Sequence, residues 1–163
     1  MRTSNLGINL IKEFESLHDG DLSQIGLQPK MDPIGIWTEG YGKAMRGDDG
    51  CFLRGKKDKD KAYSRITIHN EAEANADLIK SLESREFTVS KKIKIQLTQN
   101  QFDSLVSYTY NTGGSDTLFK LINKKAPEAQ VRKWFETKYI TANGVKLAGL
   151  VRRRKAESDL FFK

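Results

Sequence analysis

The sequence predicts an α+β protein: a small N-terminal lobe with a β-hairpin, a long linking helix and a mainly helical C-terminal lobe. Three observations point there. Glycines and β-favouring aromatics crowd into "MDPIGIWTEGYGK", residues 31–43. A run of strong helix formers, "NEAEANADLIKSLES", begins at residue 70. Beyond residue 97 the apolar residues recur at helical spacing. A chain of 163 residues suits one domain. Its parts are expected at about 1–66 for the helix and hairpin lobe, 67–88 for the linking helix and 89–163 for the helical lobe.

Taken in order, residues 4–17 read as an amphipathic helix. Ser4 or Asn5 can cap it, and Leu6, Leu10, Phe14 and Leu17 share a face, with Gly7 weakening it slightly. Residues 18–31 read as a loop, broken by Asp19-Gly20 and Pro29. Residues 32–43 read as a short hairpin, and 44–66, rich in glycine and charge, as a long surface excursion. A helix is expected over 67–87, and 89–95 is ambiguous between strand and loop. Thr98 and Gln101 have the spacing of a capping box, and Phe102, Leu105, Val106 and Tyr110 give the following helix its apolar face. Gly113-Gly114 ends it. Shorter helices follow at 115–124 and 127–138, then a loop at 141–149 and a basic helix to the C-terminus.

Composition narrows the function classes. The net charge of +7 favours polyanions, whether nucleic acid, anionic lipid or wall polymer, without choosing among them. The run "KKDKDK" is diluted by its acids and reads as a solvated loop. The single cysteine, Cys51, has no internal partner, and neither it nor His18 and His69 has zinc spacing, so no metal is expected. The N-terminus is broken by Asn9, Lys12 and Glu13 and does not read as a signal peptide. No segment has the span of a membrane helix.

The glycine-rich stretch fails as a phosphate loop. Gly35 and Gly40 have the P-loop gap, but Tyr41 stands where lysine must neutralise phosphate charge. Gly40 and Gly42 lack the third glycine of a dinucleotide fingerprint, Met45 standing there. They read better as turn and close-approach residues of a hairpin. That hairpin carries two acids, Asp32 and Glu39, and two-carboxylate chemistry needs a further acid on another element. Glu13 and Glu15, at the end of the first helix, are the nearest source.

Four blocks in order, "LIKEFESL" at 10–17, "DPIGIWTEGYGK" at 32–43, "LTQNQFDSLVSYTYNTG" at 97–113 and "GLVRRRKAESDLF" at 149–161, resemble the phage-type lysozymes, the muramidase endolysins related to the lysozyme of T-even phages. The resemblance implies a lysozyme-like fold and cleavage of the β-1,4 bond between N-acetylmuramic acid and N-acetylglucosamine. It implies Glu15 as general acid, with Asp32, six positions before Thr38, and Thr38 itself positioning the water. Tyr41, Tyr110, Asn111 and Arg153 are implied as substrate-binding, Arg153 also orienting Glu15. Inversion is implied, with carboxyls roughly 6.5–9.5 Å apart. No cofactor is implied. The partner is peptidoglycan, met by a monomer without nucleic acid or membrane insertion. The protein is expected in the host cytoplasm until released, by a holin in the simplest case.

The chain departs from the family pattern in places. The gap between Glu15 and Asp32 is long, so 18–31 is an insertion whose Asp19 and Asp21 rival Asp32 as second acid. Glu39 replaces an apolar residue and Lys43 the usual histidine, which invites an ion pair between them. Lytic transglycosylase activity through Glu15 alone, an inactive wall-binding domain and a nucleic-acid binder are the alternatives.

Overall fold

The computed structural model describes residues 1–17, 19–21, 23–142 and 144–163. The chain folds as two compact units. One joins Met1–Phe14 to Ser81–Lys163, and the other comprises Glu15–Lys80.

The smaller unit is built on a three-stranded antiparallel sheet of order β1-β2-β3. Its strands are β1 (Lys30–Met31), β2 (Trp37–Glu39) and β3 (Lys43–Ala44). Lys30 lies opposite Thr38 and Met31 opposite Trp37, while Thr38 also faces Ala44 and Glu39 faces Lys43. The hairpin expected over 32–43 is therefore the middle of a sheet that already begins at Lys30. Asp32 closes the β1–β2 turn, its Oδ1 accepting from the N–H groups of Ile34 at 2.9 Å and Ile36 at 2.8 Å. This Asx arrangement substitutes a side chain for backbone hydrogen bonding.

The expected surface excursion at 44–66 is a correction. It folds back on the sheet through bridges Arg46–Phe52 and Ile36–Arg54, then forms a 3-10 turn at Lys56–Asp58 and helix α2 (Lys59–Tyr63). Met45, Leu53 and Ala62 are buried with Trp37, and Tyr63 packs against them. Burying a side chain the size of Leu53 contributes roughly 1.5–3 kcal/mol. The apolar residues are too far apart in sequence to show a period, so only their shared contact with Trp37 reveals them.

The larger unit is helical. It holds α1 (Asn5–Glu15) up to Phe14, then the part of α3 (Glu71–Lys92) beyond Lys80. There follow α4 (Gln99–Thr112), α5 (Asp116–Asn123), α6 (Glu128–Thr137) and α7 (Ala148–Phe161). Its core is formed by Phe102, Leu105, Val106 and Tyr108 of α4 with Leu118, Phe135, Leu160 and others from α5 to α7. The capping box of Thr98 and Gln101 is present, and Gly113 ends α4 in the left-handed region at φ 80°.

Helix α1 is tied to α4. Asp103 accepts from the Ser4 backbone N–H at 3.0 Å and from the Ser4 hydroxyl. A Cβ on Gly7 would lie 2.8 Å from Asp103 Cβ, so this glycine serves close helix approach rather than merely weakening a helix. Ser16, at φ 55°, ends α1 two residues earlier than expected. Helix α3 runs on to Lys92 and takes in Val89, which is fully buried, so the first part of the ambiguous 89–95 segment is helix. The expected loop at 141–149 carries a short strand pair, β4 (Thr141–Ala142) with β5 (Val145–Lys146).

Candidate active site

Glu15 is the last residue of α1 and begins the smaller unit. The β2–β3 turn runs beneath its carboxylate. Gly42 has φ 85°, and a Cβ there would stand 3.2 Å from Glu15 Oε2. Gly40, at φ 57°, is equally confined, since a Cβ would lie 2.8 Å from Ile68 Cδ1. Both glycines therefore act as the turn and close-approach residues their sequence context suggests.

Thr38 occupies the central strand and is 4% exposed. Its hydroxyl donates to the Lys30 carbonyl at 2.9 Å, which fixes the rotamer and aims the oxygen lone pairs. Asp32 sits in the preceding turn, half-buried, with Oδ1 committed to the two backbone donors already described. Of the rival acids, Asp21 accepts from the Ser23 hydroxyl and backbone and from the Gln24 side chain, and these bonds hold its carboxyl below the usual range. Asp19 is half-buried in the same loop.

Tyr41 is buried, and its hydroxyl donates to Glu71 at 3.5 Å, a long bond. Burial first, and then the Glu71 charge, raise its phenol above the ordinary value. Tyr110 and Asn111 lie at the end of α4 in the larger unit. Arg85 covers the Tyr110 ring at 5.2 Å, and Asn111 accepts from Arg154 at 2.6 Å.

Arg153 is 3% exposed and belongs to a buried cluster on α7. Its Nε donates to Glu157 Oε1 at 3.1 Å, its Nη2 to the Ser107 carbonyl at 3.3 Å, and its guanidinium faces the Phe14 ring at 5.8 Å. Arg154 pairs with Glu157 Oε2 at 3.0 Å, and the Ser107 hydroxyl donates to Oε1 at 2.7 Å. Burial pushes the Glu157 carboxyl up, while Arg154 and Arg153 pull it the other way. Charges this deep persist only because each has an opposite partner.

Of the partners of Glu39, sequence reasoning found Lys43 and missed Thr67 and Ile68. This side chain is 3% exposed. Oε2 accepts from the N–H groups of Thr67 at 2.8 Å and Ile68 at 3.0 Å, and Oε1 accepts from the Thr67 hydroxyl. Lys43 completes the set at 3.1 Å and also reaches Asp77 at 3.4 Å, so the ion pair suggested by the sequence is present. Burial alone would raise the Glu39 carboxyl. The Thr67 bonds and Lys43 outweigh it and hold the group below the usual range. The only hint in the sequence was an acid standing where an apolar residue was expected.

Among the described residues no group of three or more His, Cys, Asp or Glu side chains could hold a metal ion. No helix among them is long and apolar enough to cross a membrane. A small antiparallel sheet in one unit and a helical second unit are the parts of a lysozyme-like fold. Residues 22–157 match the Phage lysozyme family, and the chain belongs to it.

The endolysin of Acyrthosiphon pisum secondary endosymbiont phage 1 is 28% identical, over 99% of this chain and 98% of its own length. The endolysin of Bacillus phage B103 is 29% identical, but the chain spans only 54% of its length. Among solved structures, the endolysin from Escherichia coli O157:H7 phage FAHEc1 superposes with a TM-score of 0.73 at 27% identity, covering 100% of this chain and 94% of that one. The muramidase domain of SpmX from Asticaccaulis excentricus gives 0.70 at 26% identity, covering 99% and 98%.

Proposed function

We propose that this phage lysozyme hydrolyses the β-1,4 bond between N-acetylmuramic acid and N-acetylglucosamine in bacterial peptidoglycan, with Glu15 as general acid and Asp32 and Thr38 handling the attacking water. The observation that supports this most is local. The Glu15 carboxylate lies against Gly42, in the turn that leaves the strand bearing Thr38.

In this reading the Glu15 carboxyl gives its proton to the glycosidic oxygen as the bond breaks and the sugar becomes oxocarbenium-like. Asp32, ionised and held by its own turn, and Thr38, oriented by the Lys30 carbonyl, position a water for attack at the anomeric carbon. The water's proton passes to Asp32 as the hemiacetal forms with inverted configuration. Tyr41 contributes by shaping the turn beside Glu15. Tyr110 and Asn111 are the proposed glycan contacts from the larger unit, and Arg153 is proposed to orient Glu15.

All of these groups come from one chain, which suits a monomer, and the net charge of +7 suits an anionic wall polymer. We further propose that the protein is held in the host cytoplasm and reaches the wall through a holin lesion. Export from cells with an intact membrane would overturn that route.

The deciding experiment is Glu15→Gln on purified cell walls. Loss of turnover by at least about a hundredfold is expected when a general acid is removed. Unchanged clearing would overturn the assignment. New reducing ends in the wild-type digest support hydrolysis, whereas anhydro-muramic ends would establish lytic transglycosylation instead.

A further inference from the structure

A groove of about 360 Å³ opens on the smaller unit along the β1 edge of the sheet. Its floor is aromatic and apolar: Trp37, Tyr63 and the partly exposed Met31. Its rim is cationic: Lys30, Lys56 and Lys59. Among the described residues none of these three ammonium groups makes an ion pair. Asp21, whose charge Lys59 also feels, is already engaged by Ser23 and Gln24.

The groove is built rather than incidental. Trp37 Nε1 donates to the Gly55 carbonyl at 2.8 Å, and Gly55 N–H donates to Gly35 at 2.9 Å, so the turn carrying Lys56 is fastened to the sheet. Trp37 and Tyr63 meet edge to face at 6.0 Å, and Lys59 stands 5.5 Å over the Tyr63 ring. On the far side Gly20 presses so closely on Pro29 that a Cβ there would clash with the Pro29 carbonyl oxygen. Two walls and a floor are thus held by specific contacts, while none of the three ammonium groups has a carboxylate in ion-pair contact. Such a surface suits a ligand with carboxylates beside small apolar groups.

Its position says which ligand. Lys30 and Met31 lie opposite Thr38 and Trp37, and Met31 directly precedes Asp32. Cross-strand partners share a face and neighbours along a strand alternate, so Lys30 stands on the Thr38 face and Met31 with Trp37 on the other, and the groove wraps the β1 edge of the sheet that bears the proposed chemistry. We propose that the groove is a subsite for the peptide stems of the wall polymer, with stem carboxylates on Lys30, Lys56 and Lys59 and stem methyl groups on Trp37 and Tyr63. The proposal rests on the muramidase reading for the identity of the polymer.

The test compares wild type with the double variant Lys56→Gln, Lys59→Gln. Two substrates are used, both freed of phosphate-bearing wall polymers: glycan strands with their stems, and strands stripped of stems by an amidase. On stem-bearing strands the variant's KM should rise about fivefold with kcat unchanged, the sum of two exposed pairings. On stripped strands nothing should change, and on stem-bearing strands the difference should shrink at high salt. A soluble acidic stem tripeptide should bind wild type and bind the variant more weakly. Equal effects on both strands, no effect on either, or an effect seen only when phosphate-bearing polymers are restored would overturn the proposal. A wild type that releases no reducing ends from either substrate would instead sink the muramidase reading, and the tripeptide titration would still judge the groove.

Discussion

The carboxylate of Glu39 grips Thr67 twice, one oxygen taking its backbone N–H at 2.8 Å and the other its hydroxyl. The residue that precedes the Gly40–Gly42 turn is thereby bonded to the segment leading into α3. Replacing it leaves the N–H groups of Thr67 and Ile68 without an acceptor in a buried place. Glu39→Ala should cost about 2–4 kcal/mol, in the range for stranding buried donors and breaking a partly buried ion pair. Glu39→Gln, which can still accept, should cost less than half as much. Denaturant unfolding of the two variants checks the order, and equal losses would contradict it.

The same group sets a pH dependence. Its folded carboxyl lies below the ordinary value, so its stabilisation is fully present above the unfolded value of about 4.3 and is lost as pH falls through the lower folded value. Glu86, bonded by Thr3 and Arg2, is lowered too and acts in the same direction. Melting temperature should therefore fall steeply on the acid side of pH 4. In Glu39→Gln that slope should be shallower, which a set of thermal melts between pH 2 and 6 would show.

Asp32 has two duties that can be separated. Asparagine keeps the oxygen that caps Ile34 and Ile36 but carries no charge. Asp32→Asn should unfold within about 0.5 kcal/mol of wild type while losing turnover on walls by roughly two orders of magnitude. Asp32→Ala should lose the turn as well, about 1 kcal/mol. Full activity in Asp32→Asn would move the second acid to Asp19 or Asp21.

Gly42→Ala tests the floor under Glu15. The positive φ alone costs about 1–2 kcal/mol for a residue with a Cβ, and that Cβ would crowd the Glu15 carboxylate. Turnover should fall by more than the loss in folded protein accounts for, measured well below the melting temperature. Gly50→Ala is the control, with φ 74° but nothing near its would-be Cβ. It should share the strain and keep its activity.

In α7, Arg154→Ala would leave Glu157 buried with half its neutralising charge. A loss of about 3–5 kcal/mol is expected. Replacing Arg132, whose partners Glu128 and Asp159 are solvent-exposed, should cost under about 1 kcal/mol.

What could be read from the sequence was local in origin. The capping box at Thr98, the glycine stop at 113 and the β-favouring run around Trp37 each act within a few residues, and each is present. The misread parts depend on distant partners. Met45, Leu53 and Ala62 become a core only through Trp37. Glu39 becomes a clamp only through Thr67 and Ile68, 28 and 29 residues on. The groove along β1 gathers Gly20, Lys30 and Lys59 from three separate segments. No window of the chain contains such a grouping, so periodicity and spacing are blind to it.

The bond from Ser4 to Asp103 joins residues 99 positions apart. At a synthesis rate of 5–20 residues per second, Ser4 is added to the chain roughly 5–20 s before its acceptor is made. Before that interval ends everything needed for the Glu15–Lys80 unit has been translated, while the helical unit still lacks α4. The order of birth along the chain thus differs from the order in which the two units can finish, and the N-terminal segment must wait for the far end of its own protein.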